Sequence, residues 1–244
     1  MLRLRVKAYS APNVVGKCRR SASAHLRVLE TYGIAAISSA KEGWWENAHT
    51  TVLLLEDTET AEPLGAVRLQ RWGGGKPLPV ELALAAVDPY VHAWVAGHAS
   101  GGVGELCGLW CAPRLKGAGM GAVLTRMGIS IASELRVRAV LGVCDTRNVA
   151  KNTSFGFVHD TALAAAGVFE YPRRGLFAHV LRIPDARRLD HAAVEHRLAI
   201  DEYRHFPVGT ELLTSAAGPV ELERDLRTST LSSAHSRPFT SLTA

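Results

Sequence analysis

The sequence predicts a mixed α/β fold, in which helices pack on a mixed β-sheet. Two local patterns indicate this class: several strand-length segments are apolar or alternate in polarity, and residues 119–136 place apolar side chains at helical spacing. The composition agrees, because 47% of the 244 residues are apolar and 21% are charged. Fibrous, mostly disordered and helical membrane-spanning classes of protein are thereby excluded.

The first part of the chain contains three predicted strands and one helix. Residues 2–8 alternate Leu and Val with Arg and Lys, which is typical of a half-buried strand. A helix is predicted over 13–31, and Gly33 terminates it. The apolar segments 51–56 and 64–71 are separated by a turn and predict an antiparallel hairpin.

The second part alternates strands with helices. Strands are predicted over 103–112, 139–144 and 176–183, each dominated by apolar residues. The helix over 119–136 lies between the first two strands, and a short helix over 148–154 follows the second. This order places helices on a sheet that includes both the hairpin and these strands.

Positive charge is concentrated at the start of the chain. The net charge is +5, and no acidic residue precedes Glu30. Such a segment is found in organelle transit peptides and in nucleic-acid-binding patches. The alternation over 2–8 favours a simpler interpretation, an ordinary strand and helix with a basic exposed face. No nucleic-acid or membrane partner is predicted.

The cysteines indicate a reducing compartment. Four are present, at positions 18, 107, 111 and 144, which is too few for a disulfide scaffold. Their spacing lacks the two ligand pairs of a zinc site. We therefore expect free thiols in a cytoplasmic protein, and no metal site.

A strand, a glycine-rich turn and a helix follow one another over 105–122. Gly117, Gly119 and Gly121 lack a Cβ, so their backbone N–H groups can approach a ligand closely. The start of the helix adds a partial positive charge, and Lys116 adds a full one. The turn could therefore cradle a pyrophosphate. Close packing of helix on strand is the alternative, and neither the dinucleotide nor the P-loop glycine pattern matches.

These segments resemble the GNAT superfamily of acyl-coenzyme A (CoA) N-acyltransferases. There a strand ending in x-V-x-P precedes R/Q-x-x-G-x-G/A at the start of a helix. Here the strand ends with residues 109–113, Leu-Trp-Cys-Ala-Pro, and residues 116–121 read Lys-Gly-Ala-Gly-Met-Gly. A buried strand, Asn148, a short helix and Gly-Phe at 156–157 complete the motif, which covers about 103–158.

The resemblance implies a division of the chain into three parts. A GNAT-like acyltransferase domain is expected over 1–184, since the upstream helix and hairpin fit the usual order of that fold. Residues 185–228 are expected to form a C-terminal helical extension, with a polar helix over 188–205. The Ser- and Thr-rich residues 229–244 are expected to be a disordered tail.

The resemblance also implies a ligand and its site. Acyl-CoA, by default acetyl-CoA, would be the co-substrate, and an amine of a small molecule or a protein would be the acceptor. The pyrophosphate would lie on the backbone of 116–122, and the pantetheine arm would pair with 109–111, where the family bulges one strand to open a slot. The implied cofactor-binding residues are Leu109, Trp110, Cys111, Lys116, Gly117, Ala118, Gly119, Met120, Gly121, Ala122 and Asn148.

Three positions depart from the family pattern. Cys111 replaces the usual Val, and Lys116 replaces Arg or Gln. The helix after Asn148 is shorter than usual and has no tyrosine where the family places its general acid. No acid can therefore be transferred to that helix, and Tyr171 is the substitute that we consider.

Glu105 is the candidate catalytic residue. Transfer to an amine requires the neutral amine, which a nearby carboxylate can produce by accepting a proton. Strand periodicity places Glu105, Cys107, Leu109 and Cys111 on one face before any bulge. The GNAT histone acetyltransferases have their catalytic glutamate at the position of Glu105. A structural carboxylate paired with an arginine is the alternative.

Other side chains are weaker candidates. Glu81, His92 and His98 belong to residues 72–102, which should cover the mouth of the substrate site. Cys107 or Cys111 would serve as a nucleophile only if activated, and buried strand thiols are usually inert.

The length of the 72–102 segment exceeds what a minimal GNAT core needs. In this respect the chain is similar to the autoinducer-synthase and N-acyl amino acid synthase branch, which transfers long acyl chains. We expect four apolar residues of the segment either to line an acyl channel or to pack in the core: Leu82, Leu84, Val87 and Val91.

Three functions follow from these expectations. The first is direct N-acyl transfer from acyl-CoA to an amine in a ternary complex. The second is a long-chain N-acyl amino acid or autoinducer-type synthase that uses an acyl carrier protein. The third is a non-catalytic acyl-CoA sensor or interaction module. A homodimer is a further hypothesis about partners.

Overall fold

The structure is a computed structural model that describes residues 1–216 and 218–228. Within these ranges the chain forms ten strands and six α-helices. The strands are β1 (Leu2–Ser10), β2 (Thr50–Asp57), β3 (Pro63–Arg71), β4 (Val103–Cys111), β5 (Ala139–Asp145), β6 (Val158–His159), β7 (Val168–Glu170), β8 (Phe177–Ile183), β9 (Val208–Ser215) and β10 (Gly218–Asp225). The helices are α1 (Val15–Thr31), α2 (Pro79–Leu84), α3 (Val91–Gly97), α4 (Met120–Ser130), α5 (Val149–Ser154) and α6 (Val194–His205).

All ten strands belong to one mixed sheet. Its order is β6-β8-β5-β4-β3-β2-β1-β10-β9, and β7 pairs with β8 beside this path. The β4–β5 and β1–β10 pairs are parallel, whereas the other pairs are antiparallel. The predicted mixed α/β class and the 51–71 hairpin are confirmed.

Helices cover both faces of the sheet. On one face, α4 and α6 bury Leu124, Met127 and Ile200 against the sheet. On the other face, α1 packs over the middle of the sheet, and α2 and α3 pack beside it. Successive side chains of β5 point to opposite faces of the sheet: Val140 packs in the core beneath α4, and Leu141 packs in the core beneath α2 and α3.

The basic start of the chain is one side of an ion-pair ladder. Leu4 and Val6 are fully buried, so the basic residues between them point to the opposite face of β1. Parallel pairing with β10 sets each of them beside an acid: Arg3 with Glu221 at 3.4 Å, Arg5 with Glu223 at 2.7 Å, and Lys7 with Asp225 at 3.7 Å. The strand predicted over 2–8 is thus confirmed.

The C-terminal segment differs from its prediction. Residues 185–228 were expected to be a helical extension, and this is wrong for 208–225, which form the hairpin of β9 and β10. The helix itself spans Val194–His205 rather than 188–205. Since Leu222 of β10 is fully buried in the α4 core, the segment completes the sheet. The division into domains stays a prediction, and the expected disordered tail lies outside the described residues.

One other predicted boundary differs. The predicted 119–136 helix ends at Ser130, and turns continue to Arg136, which adopts a φ of +57°. Residues 72–102 contain the short helices α2 and α3. The predicted end of α1 is confirmed, because Gly33 has a φ of +66°.

Candidate functional site

A β-bulge in β4 organises the centre of the site. Arg68 of β3 pairs with Cys107 and Ala66 pairs with Trp110, so two residues, Gly108 and Leu109, lie opposite one. Gly108 has a φ of +62°, a conformation that favours glycine.

The bulge changes which side chains share a face of β4. Glu105 and Cys107 share one face of β4, as the strand period predicts, and that face is directed toward α1 and α2. The next residue on this face is Trp110. Cys111 packs against the α4 core instead. The expectation that Glu105 and Cys111 share a face is therefore wrong, because the inserted residue inverts the alternation.

Strands β4 and β5 separate immediately after Glu105. Their parallel pairing comprises three positions and ends at Glu105 and Leu141, although both strands continue. Among the described residues, the two strand edges beyond this point, 106–111 and 142–145, therefore have no ladder partners on their facing sides. This is the slot that the family resemblance implied.

A cavity of about 300 Å³ occupies this slot and reaches both faces of the sheet. On the α1 side its walls include His25, Ile34 and Ser38, from the end of α1 and the following loop. On the α4 side they include Thr125 and the α5 region. Two ligands that enter from opposite faces would therefore meet between β4 and β5.

Glu105 lies at the closed end of the slot and is 2% exposed. Its Oε2 accepts a hydrogen bond of 2.7 Å from the backbone N–H of Val80, in the first turn of α2. Burial raises the pKa of Glu105 to about 8, against the opposing effects of that hydrogen bond and of Arg68. A carboxyl group with such a pKa is mostly protonated at pH 7, and its deprotonated fraction, about one tenth, can accept a proton.

The glycine turn has the geometry of an anion cradle. Gly117 and Gly119 have φ values of +82° and +73°, and Gly119 is the residue that precedes the first turn of α4. No atom of the described part of the chain lies within 4 Å of the position of a Cβ on Gly119, so the space above it is open. The side chains of Ala118 and Met120 are buried, so a ligand at the turn would contact the backbone of these residues.

Lys151 of α5 was not among the predicted site residues. Its Nζ lies 3.8 Å from the position that a Cβ on Gly121 would occupy, so it stands beside the first turn of α4. It lines the cavity with Asn148, whose Nδ2 donates to Asp145. A lysine three residues after Asn148 on a predicted helix was the available clue.

The remaining predicted cofactor residues are spread along the strand and the turn. Leu109 is 43% exposed and lines the cavity, whereas Trp110 is buried and stacks on His25 with ring centroids 5.9 Å apart. Lys116 is exposed, and Ala122 is half-buried in the first turn of α4.

Tyr171 reaches the cavity from the loop that joins β7 to β8. Its hydroxyl oxygen accepts a hydrogen bond from the backbone N–H of Ser38, which links this loop to the one after α1. Burial raises the pKa of Tyr171, so the phenol holds its proton at neutral pH. The residue considered as a substitute acid is thus in the cavity.

The weaker candidates do not line the cavity. Glu81 accepts from the N–H of Leu78 at 2.7 Å and contacts His92 Nδ1 at 2.8 Å, so it caps α2. His98 donates to the Trp94 carbonyl. Of the residues suggested for an acyl channel, Leu84 and Val91 pack in the core, and Leu82 and Val87 are exposed. None of these four lines the cavity.

The thiols of β4 are poor nucleophiles. Burial raises the pKa of Cys107 to about 12 and that of Cys111 to about 11, which disfavours the reactive thiolate. Within residues 1–216 and 218–228, no three His, Cys, Asp or Glu side chains cluster as metal ligands would. None of the helices in the described part of the chain has the length and hydrophobicity that crossing a bilayer requires.

Comparison with known proteins shows similarity in structure rather than in sequence. No protein-family model and no curated protein sequence matches the chain. FeeM, an N-acyl amino acid synthase from uncultured soil microbes, aligns with a TM-score of 0.60 at 17% identity, over 81% of this chain and 98% of that one.

A second aligned structure is BjaI, a CoA-dependent acyl-homoserine lactone synthase, with a TM-score of 0.52 at 13% identity over 84% of this chain and 90% of that one. An aligned structure of the GNAT family from Desulfovibrio desulfuricans has a TM-score of 0.42 at 13% identity, over 68% and 92% of the two chains. The chain therefore shares the mixed α/β fold of FeeM and BjaI.

Proposed function

We propose that this protein is an N-acyltransferase that moves an acyl group from acyl-CoA directly to an amine in a ternary complex. The observation that carries this proposal is the cavity between β4 and β5, which reaches both faces of the sheet and has a buried carboxyl group at its closed end. A thioester entering from the α4 side and an amine entering from the α1 side would meet beside Glu105.

The donor binds on the α4 side. Its pyrophosphate lies on the backbone N–H groups of 116–122 and receives positive charge from the start of α4 and from Lys151. Its pantetheine arm pairs with the free edge of 109–111, as an added strand does. This assignment uses the open space above Gly119 and the unpaired edge of β4.

Glu105 acts as the general base. Its deprotonated form takes a proton from the ammonium form of the acceptor, and the neutral amine attacks the thioester carbonyl. The C–N bond forms, the C–S bond then breaks, and the nitrogen releases its second proton as the amide forms. Glu105 suits this role because Val80 fixes one oxygen while no described residue hydrogen-bonds to Oε1.

Tyr171 supplies the proton to the leaving thiolate. Its raised pKa keeps the phenol protonated, and its oxygen already accepts from Ser38, so its own O–H can point into the cavity. The proton that the nitrogen releases as the amide forms returns to the phenolate through solvent, and the amide keeps its own N–H. The result is an amide and free CoA.

The experiment is a survey of acyl transfer with purified protein. Acyl-CoA donors of several chain lengths are incubated with a panel of amines, and N-acyl products are detected by mass spectrometry together with released CoA thiol. Stoichiometric amide and thiol support the proposal. Binding of acyl-CoA without consumption over the whole panel contradicts it and supports the sensor hypothesis.

A second candidate is transfer of a long acyl chain from an acyl carrier protein. Two observations favour it: apolar side chains such as Leu29, Ile37 and Phe155 line the cavity, and Lys116 and Arg147 are exposed near the donor side. Carrier proteins are acidic, so such cations would assist docking. The same acyl chain is offered on CoA and on carrier protein, and a higher kcat/KM identifies the donor.

A further inference from the structure

His25 is a buried polar side chain in the wall of the cavity. It belongs to the face of α1 that packs on the sheet, one turn before Leu29, and it is 6% exposed. Its ring stacks on Trp110, with an angle of 9° between the two ring planes. Because the bulge of β4 turns Trp110 to this face, the bulge also fixes the plane of the histidine ring.

The ring nitrogens of His25 have no partner within the described chain. No described residue forms a hydrogen bond with Nδ1 or Nε2, yet neither atom is fully enclosed. Two spaces adjoin the ring: the cavity between β4 and β5, and a neighbouring pocket of about 10 Å³. That pocket has room for about one water molecule. The cavity is therefore the space in which a substrate can reach the histidine.

The ring of His25 is neutral at pH 7. Burial, and after it the charge of Arg68, lower the pKa of His25 to about 4. Arg68 is itself a buried cation, whose Cζ lies 4.7 Å from the ring centroid of Trp44. A neutral imidazole has one N–H donor and one nitrogen that accepts a hydrogen bond. His25 therefore offers a ligand in the cavity one donor and one acceptor.

The charge near His25 favours the uncharged form of a bound amine. Arg68 would repel an ammonium group at this position, as it disfavours the protonated imidazole. Once Glu105 has taken the proton, the amine is no longer repelled, but its N–H groups are buried and need acceptors. The accepting nitrogen of His25 meets this need on the α1 side of the cavity.

We infer that His25 accepts a hydrogen bond from an N–H of the acceptor amine and thereby orients that amine in the cavity. This inference rests on the proposed function and names the residue that binds the attacking nitrogen. The hydrogen bond uses an N–H of the amine, so the nitrogen lone pair stays free to attack the thioester carbonyl. Orientation of a nucleophile in this way lowers the barrier to its attack.

The first test measures binding alone and needs no acyl donor. Aniline and toluene are the probes, because they have nearly the same size, both are uncharged at pH 7, and only aniline has N–H donors. Calorimetric titration of the wild-type protein gives the ratio of the two affinities. The same ratio in His25→Phe, which keeps the ring stack on Trp110, should be about tenfold less favourable to aniline, since the variant has no accepting nitrogen.

Three further variants define the cause of the change. An asparagine or a glutamine can place an amide oxygen near one or other ring nitrogen, so His25→Asn or His25→Gln should restore part of the ratio. His98→Phe is the matched control, because His98 also contacts a tryptophan, Trp94, at 5.0 Å between ring centroids but does not line the cavity. The ratio in His98→Phe should equal that of the wild-type protein.

A second measurement does not depend on the folding of any one variant. Nitrogen-15 spectra of histidine-labelled wild-type protein should show a shift of one ring nitrogen of His25 with aniline and none with toluene. The resonance is assigned by its absence from whichever His25 variant folds. If amines are acylated, kcat/KM for the acceptor should also fall about tenfold in His25→Phe, with the KM for acyl-CoA unchanged.

The outcomes separate the two proposals. A ratio that His25→Phe leaves unchanged, or a His25 resonance that aniline does not move, overturns the role of His25, whatever reaction the protein catalyses. A ratio that falls in His25→Phe and returns in His25→Asn or His25→Gln, without acyl transfer to any amine, supports the role of His25 and contradicts the proposed function. Equal weakening of aniline and toluene in all three variants would assign His25 to packing and overturn the inference.

Discussion

Val80 donates its backbone N–H to Oε2 of Glu105 at 2.7 Å, and this contact joins the 72–102 segment to the closed end of the slot. The donor lies in the first turn of α2, where backbone N–H groups lack partners within the helix. The segment that was expected to cover the substrate mouth therefore orients the carboxyl group.

Glu105→Gln should lower turnover at neutral pH by about 10²–10⁴, because the amide cannot accept the ammonium proton. The glutamine oxygen can still accept from Val80, so folding and acyl-CoA affinity should stay near the wild-type values. Higher pH should rescue the variant in part, since more acceptor is then neutral. Steady-state kinetics at several pH values measure this, with Glu81→Gln as the comparison. A larger loss in Glu81→Gln would identify the other carboxylate as the base.

The stability of the fold should depend on pH through Glu105. Its pKa is raised to about 8 in the folded protein, so the folded state holds the proton more tightly than the unfolded chain does. This contribution is complete below the ordinary carboxyl pKa and is lost as the pH rises through 8. Urea midpoints should fall between pH 5 and pH 8.5, and less so in Glu105→Gln. If the urea midpoints of the wild-type protein and of Glu105→Gln changed in parallel with pH, the raised pKa of Glu105 would be refuted.

Lys151→Ala should weaken acyl-CoA binding about tenfold, the effect of losing one hydrogen bond to a charged group. The loss should shrink at high salt, because the cation is exposed. Calorimetric titration measures both. Arg147→Ala is the control, since Arg147 is an exposed cation already paired with Asp145 at 3.2 Å. Equal losses in the two variants would point to a general charge effect.

Tyr171→Phe should lower kcat at least tenfold with little change in the KM for acyl-CoA, because the leaving sulfur loses its proton donor. The alternative is that the hydroxyl only links its loop to Ser38. In that case the KM for the acceptor would rise and kcat would persist. Initial-rate kinetics over both substrates distinguish the two roles.

Gly119→Ala should weaken acyl-CoA binding while lowering stability by about 1–2 kcal/mol, the cost of a left-handed conformation for an L-residue. A β-branched replacement would cost more, so alanine is the substitution of choice. Gly75→Ala is a matched control: Gly75 has a φ of +72° against +73° for Gly119, and both positions have open space around a Cβ. An equal loss of acyl-CoA affinity in Gly119→Ala and Gly75→Ala would contradict an anion cradle at the glycine turn.

Local patterns predicted the strands, the glycine turn and the position of Glu105 because each depends on neighbouring residues. The bulge was implied by resemblance, but its effect on Trp110 and Cys111 depends on one backbone conformation at Gly108. Sequence alternation alone cannot show such an inversion.

The missed features depend on contacts between distant segments. The buried charge of Arg68 is defined by its neighbours from α1, the Trp44 loop and β4, and an arginine in a strand has no pattern that shows which of these face it. The β9–β10 hairpin was missed because β9 alternates between exposed and half-buried positions without a fully buried residue. An edge strand of this kind has a weak apolar pattern.

The parallel pairing of β1 with β10 has a kinetic consequence. During synthesis the strand made first has one unsatisfied edge until almost all of the described chain has emerged. Strand pairings between residues so far apart in sequence form slowly, because a long loop must close before the stabilising contacts can form. Nascent chains that end before residue 218 would therefore expose the unpaired edge of β1, which can associate with other chains. Chaperones that shield open sheet edges should raise the yield of the native protein.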